Sequence, residues 1–203
     1  MAISPHDHRP SHHHGNLREA LVAAGVEILA REGMGGLTLR KCAALAGVSH
    51  AAPAHHFKGL PGLLDAIAAR GFTLFADAME REASKAPDEP RARLEAICLA
   101  YLDFARAYPA LFDLMFHQVW SLAGTEAELG IAGARAYGVL SQACAPFVPE
   151  GVSPGVVEAQ VWSLIHGYST LAVVGELGRN RPLAPIRDVL ALLSSLEVQG
   201  SVS

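Results

Sequence analysis

A chain of 203 residues has room for one large domain or for a small head on a larger body, and either is long enough to bury a substantial core. Its composition, 51% hydrophobic and 18% charged with a formal net charge of −4, is that of a globular helical protein with apolar surface left over for a dimer face or a pocket. Residues 1–11 hold no apolar run like a signal peptide, Val161–Leu177 is interrupted by His166, Tyr168 and Glu176, and Cys42, Cys98 and Cys144 are far apart without a CxxC spacing, so export, a membrane span, a disulfide framework and a zinc finger are not expected.

In chain order, Leu17, Leu21, Ala24, Ile28 and Leu29 fall on one helical face behind a capping-box-like Asn16 and Glu19, and Gly33 should end that helix. Thr38 is placed as N-cap of a short second helix, Leu39 to Leu45, and Gly47 supplies the turn. Ser49 is expected to cap a third helix from His50 to about His56. Two short helices across a Gly-containing turn have the dimensions of a DNA-reading helix-turn-helix.

Apolar residues at 60, 63, 64, 67, 71, 74, 75, 78 and 79 predict a long fourth helix, stopped by the Ala86-Pro87-Asp88-Glu89-Pro90 break. A fifth follows on Leu94, Ile97, Cys98, Tyr101, Leu102 and Ala105, a sixth from Ala110 to about Ser121, and a seventh over roughly 126–145. Beyond Pro146–Pro154 comes an eighth, about 155–177 and apolar nearly all round, then a ninth with Ile186, Val189, Leu190, Leu193 and Leu196 on one face. No period-2 strand pattern or internal repeat is present, so the fold class read here is all-α with about nine helices.

Charge divides along the chain. Residues 1–58 carry +2 and eight of the ten histidines, whereas the remainder carries −6, so nucleic acid is expected only at the head. His6, His8, His12, His13 and His14 are donors that nickel, copper or zinc accept, but a flexible tract fixes no geometry. The reading taken is a flexible N-terminal arm, residues 1–14, reaching toward DNA, with no resident metal and no cofactor. The absence of HExxH, Walker and GxGxxG motifs points away from an enzyme.

The segment from His13-His14-Gly15-Asn16-Leu17-Arg18-Glu19-Ala20-Leu21 to Leu63-Leu64 resembles the N-terminal domain of TetR regulators. The matching pieces are Arg31-Glu32-Gly33, Leu37-Thr38-Leu39-Arg40, Ala46-Gly47-Val48-Ser49 and His56-Phe57-Lys58. Trp162-Ser163-Leu164-Ile165-His166-Gly167 is similar to the Trp-His-Gly element that names one class of TetR C-terminal domain. The resemblance implies a nine-helix homodimer, with a DNA-binding domain at 15–59 and a ligand-binding and dimerisation domain at 60–203. Ala54 stands where the family usually has a tyrosine that bonds the DNA backbone.

The expected DNA-facing residues are Thr38, Arg40, Lys41, Ser49, His50, Ala51, Ala52, Ala54, His55, His56 and Lys58: alanine methyls can meet thymine methyls, and the cations and helix termini meet phosphate. His56 is read as either core or backbone contact, and Phe57 as core. A ligand cavity is expected around Tyr101, Phe104, Phe112, Met115, Phe116, Trp162 and His166, with core packing as the plainer reading of each. Val157, Leu164, Leu171, Val174, Val189, Leu193 and Leu196 are the expected dimer face. The function expected is a cytoplasmic, ligand-responsive repressor released from double-stranded operator DNA by a small apolar effector. Its alternative is a TetR-shaped binding protein with weak or no specific DNA binding.

Overall fold

A computed structural model describes the backbone of residues 13–118, 127–174 and 183–198, and the side chains of these except at 13–16, 117, 118, 174, 194 and 195. The described residues are helical with no strand. They form α1 (His13–Glu32), α2 (Leu39–Leu45), α3 (Gly59–Lys85), α4 (Pro90–Ala107), α5 (Pro109–Asp113), α6 (Ala127–Cys144), α7 (Pro154–Val174) and α8 (Ile186–Leu190). Pro90 and Pro109 each open their helix, where a missing N–H costs least.

The predicted stripe of α1 is the stripe that is buried: Leu21, Ala24, Ile28 and Leu29 are at most 5% exposed. Gly25 lies on the same side, and a Cβ there would come within 2.4 Å of Ile67 Cδ1, so α1 and α3 approach as closely as a bare backbone allows. α3 is the spine of the molecule. Its first half packs on α1 and α2, and its length also lies against α4 and α6. Arg135 on α6 reaches both Asp77 (2.7 Å) and Glu80 (2.5 Å) on α3, closing that pair of helices at the surface.

Five expectations are corrected. The third helix is not an α-helix over 50–56 but a single 3-10 turn, Ala52–His55, because Pro53 in its first turn lacks an N–H and Gly59 at φ 76° turns the chain into α3. Ser49 does not cap it by its side chain; its carbonyl accepts from Ala52 N–H at 3.0 Å. The sixth helix is short, five residues of α5 running into a π-helical turn, Leu114–Gln118, and its expected end at Ser121 lies outside the described residues. The ninth is α8 continued by a 3-10 helix, Ala191–Ser195. α1 also begins at His13, ahead of the expected Asn16 start.

Candidate functional site

The N-terminal helices place a continuous polar and small-residue surface at the turn after α2. Thr38 is the expected N-cap: in extended backbone its Oγ1 accepts from Lys41 N–H at 3.2 Å. Cys42 and Ala43 pin α2 to the core, leaving Arg40 and Lys41 outward. Gly47 takes φ 69°, and Val48 N–H returns to Ala43 O at 3.0 Å, which closes the turn. Beyond it Ser49, His50, Ala51, Ala54, His55 and Lys58 are exposed, Ala52 and His56 are half-buried, and Pro53 and Phe57 are buried. The structure thus brings the whole expected set to one end of the molecule, with Phe57 in the core beneath it.

Two cations here have carboxylate partners. Lys41 Nζ lies 2.5 Å from Glu32 Oε2. Arg18, which the sequence reading did not single out, sits 5.5 Å over the Phe57 ring and meets Glu128 at the start of α6. Phe57, Arg18, His56, Lys58, Asp65 and Glu128 line a cleft of about 170 Å³ where α1, α3 and α6 converge.

The second expected site is an aromatic cluster between α3, α4, α5 and α7. Tyr101, on α4, is buried to 3% exposure with its ring edge-on to Phe75 (4.6 Å between centroids) and to Phe112 (5.9 Å). Phe112, Phe116, Tyr101 and Trp162 all lie within 6.3 Å of the His166 ring, ring centre to ring centre. Trp162 Nε1–H donates to Tyr101 Oη at 3.3 Å, and Tyr101 Oη lies 2.8 Å from His166 Nδ1. Burial pushes the Tyr101 phenol well above its ordinary range, against the Trp162 bond that lowers it, so the hydroxyl stays protonated while it bridges Trp162 and His166. Phe104 and Met115 are buried beside this group, and Phe104 touches Phe75 rather than the histidine. Trp162 is 36% exposed, so the cluster reaches the surface along α7.

One polar element was missed by sequence reasoning. Glu158 on α7, 8% exposed, accepts from the Tyr137 and Ser141 hydroxyls of α6, the latter at 2.7 Å. Tyr137 and Ser141 one helical turn apart were the available signal, but nothing in the sequence pairs them with Glu158.

The expected dimer face divides. Val157 (3% exposed) and Leu193 (5%) are buried in the chain's own core, a correction to their expected place on a partner surface. Leu171 is exposed and Leu164, Val189 and Leu196 are half-buried. The Val174 side chain lies outside the described residues, as do those of His6, His8, His12, His13 and His14. Val156 and Leu192, not named from sequence, are exposed at 48% and 66%. All three cysteines are free and buried, as expected.

The described residues thus form a small head, closed by the Gly47 turn, on a helical body with an aromatic interior. Residues 94–193 match the model of the tetracyclin repressor-like C-terminal domain. Over 81 residues the chain is 37% identical to the HTH-type transcriptional regulator BetI of Pseudomonas aeruginosa, a match covering 39% of this chain and 41% of that protein, so it spans about two fifths of that relative's length. A solved structure of a protein of unknown function from Rhodococcus sp. RHA1 is 33% identical, with a TM-score of 0.72 over 92% of this chain and 96% of that one. A TetR family regulator from Marinobacter aquaeolei VT8, 18% identical, shares the fold at a TM-score of 0.63 over 89% of this chain and 93% of that one. Residues 94–193 thus resemble the tetracyclin repressor-like C-terminal domain, and the chain shares the fold of solved TetR family regulators. No helix among the described residues is long and apolar enough to cross a membrane.

Proposed function

We propose that this chain is a cytoplasmic repressor that holds a palindromic operator as a homodimer and lets go when a small apolar molecule enters the body. The observation that carries this reading is the convergence of Thr38, Arg40, Lys41 and the exposed run around His50–His55 on one end of the chain, behind a Gly47 turn of helix-turn-helix dimensions. Residues 15–59 form the reading head and 60–203 the sensing and pairing body, with residues 1–14 as an arm toward DNA. Ala51, Ala52 and Ala54 meet thymine methyls, His50 and His55 donate to base or phosphate acceptors, and Thr38, Ser49, Arg40, Lys41, His56 and Lys58 set register on the backbone.

The Tyr101–His166–Trp162 network, walled by Phe112, Met115 and Phe116, is the effector site, and the Trp-His-Gly segment supports reading the body as that class of TetR C-terminal domain. Its lining favours an apolar effector with one polar handle. The dimer face runs over Val156, Leu164 and Leu171 of α7 and Val189, Leu192 and Leu196 at the chain's end. A two-fold pair spaces its reading segments about 34–36 Å apart, one duplex turn or a multiple.

Binding to the DNA upstream of its own gene, at two salt concentrations, tests this directly. A regulator loses affinity steeply with salt, by a slope of about 0.9 per phosphate contact, and Arg40→Ala with Lys41→Ala flattens that slope. The rival, a binding protein of the same shape that reads no DNA, is favoured by two features: Lys41 is engaged by Glu32, and the Ala54 side chain offers no phosphate donor. Equal, weak binding to any duplex would establish it.

A further inference from the structure

The contact between Arg18 and Glu128 spans 110 residues of sequence and joins α1 to the first turn of α6. It is a fork: Nη1 meets Oε1 at 3.3 Å and Nη2 meets Oε2 at 2.5 Å, the same two-pronged geometry that guanidinium uses on a phosphate. Arg18 also lies over the ring of Phe57, the residue that seats the DNA-facing segment in the core, and shares its cleft with His56 and Lys58. A backbone phosphate approaching Lys58 therefore comes to the mouth of the cleft that holds Arg18. The Arg18 and Glu128 side chains are 37% and 56% exposed, and an ion pair so open to water is weak enough to be exchanged.

Resting on the regulator reading above, we propose that Glu128 is an internal stand-in for phosphate: it holds Arg18 when the head is free, and Arg18 passes to the DNA backbone when the head binds. Glu128 belongs to α6, which is tied to α7 by the Tyr137 and Ser141 bonds to Glu158 and by the Tyr137–Trp162 ring contact at 5.9 Å. Trp162 is itself bonded to Tyr101. A tilt of α6 that begins at Trp162 is delivered at Glu128 and sets how firmly Arg18 is withheld from DNA.

A double-mutant cycle on DNA affinity tests the exchange, using a duplex that the wild-type protein recovers from a random-sequence pool. Glu128→Gln should tighten binding about two- to fivefold, the worth of an exposed ion pair. Arg18→Gln should weaken binding and reduce the salt slope by about 0.9, one phosphate contact. In the Arg18→Gln background Glu128→Gln should change nothing, whereas Arg18→Lys, which keeps a cation, should retain the response. Equal tightening by Glu128→Gln in both backgrounds would mean that Glu128 merely repels DNA at a distance, and would overturn the proposal. So would an unchanged salt slope in an Arg18→Gln protein whose helical circular dichroism matches wild type; if that variant does not fold, the slope and the response are read from Arg18→Lys against Arg18→Met. A wild-type protein that recovers no duplex at all fails the regulator reading itself, whereas recovery with an additive cycle fails only this exchange.

Discussion

Gly71 on α3 and Met115 in the π-helical turn meet without room for a methyl group between them: a Cβ on Gly71 would lie 2.6 Å from Met115 Sδ and 3.0 Å from Leu111 Cδ1. This is where the long helix leading from the head bears on the wall of the aromatic cluster. Gly71→Ala forces Met115 out of its place, and overpacking of this kind costs about 1–3 kcal/mol. A urea midpoint reads the loss, and Met115→Ala in the same protein should recover part of it. An unchanged midpoint would show that the joint has slack.

The buried hydroxyl of Tyr101 takes a bond from Trp162 and shares one with His166 Nδ1. Tyr101→Phe keeps the ring contacts but removes both bonds, each contributing about 0.5–1.5 kcal/mol. Trp162→Phe removes only the donor and should be milder. Denaturant unfolding of the two variants checks the order; a Tyr101→Phe protein as stable as wild type would mean that the hydroxyl contributes nothing net.

The Glu158 clip has a pH signature. The Tyr137 hydroxyl first, and Ser141 second, hold the Glu158 carboxyl below its ordinary range, against burial that raises it. Folding thus favours the ionised form. Its contribution is whole above the unfolded carboxyl value of about 4.3 and is lost as pH falls through the lower folded value. The same bond pushes the Tyr137 phenol up, so that contribution is whole below about pH 10 and is lost as pH rises through the folded value. Glu158→Gln should flatten both limbs of a melting-temperature profile. If the acid limb is untouched, other carboxylates account for it.

Thr38 caps α2 through its side chain, and Thr38→Ala should cost about 1 kcal/mol of stability, with Thr38→Ser nearly neutral. DNA affinity of Thr38→Gly separates the cap from a phosphate contact, because glycine costs the cap only about a few tenths of a kcal/mol yet has no hydroxyl for phosphate.

Cys98 and Cys144 have thiols pushed up to about 12, in both cases chiefly by burial. Neither should react with a thiol reagent at neutral pH in the folded protein. Titration should find both thiols released together on unfolding, and rapid modification of native protein would contradict their placement.

The helices that were legible in the sequence are those with one apolar stripe. α1, α3 and α4 bury the residues their spacing predicts, because a two-faced helix has one way to sit on a core. α7 is apolar nearly all round, so spacing could not say which side met the chain itself; Val157 went inward while Val156 beside it stayed out. The turn at Ala52–His55 was expected as an α-helix because Ser49 reads as an N-cap after the Gly47 turn, and local pattern did not separate an α from a 3-10 turn around Pro53. The Glu158 and Glu128 contacts join segments 17 to 110 residues apart, a distance at which local pattern carries no information.

On the regulator reading proposed above, the brevity of that turn limits what the head can spell. At about 2.0 Å of rise per residue, the four residues Ala52–His55 extend roughly 8 Å, the height of two to three stacked base pairs. Pro53 is buried, and Ala52 and Ala54 offer methyl groups that distinguish thymine from the other bases and little else. One head alone would find matches throughout any genome. Only the product of two such short words, written a fixed distance apart, makes an address rare enough to regulate a gene.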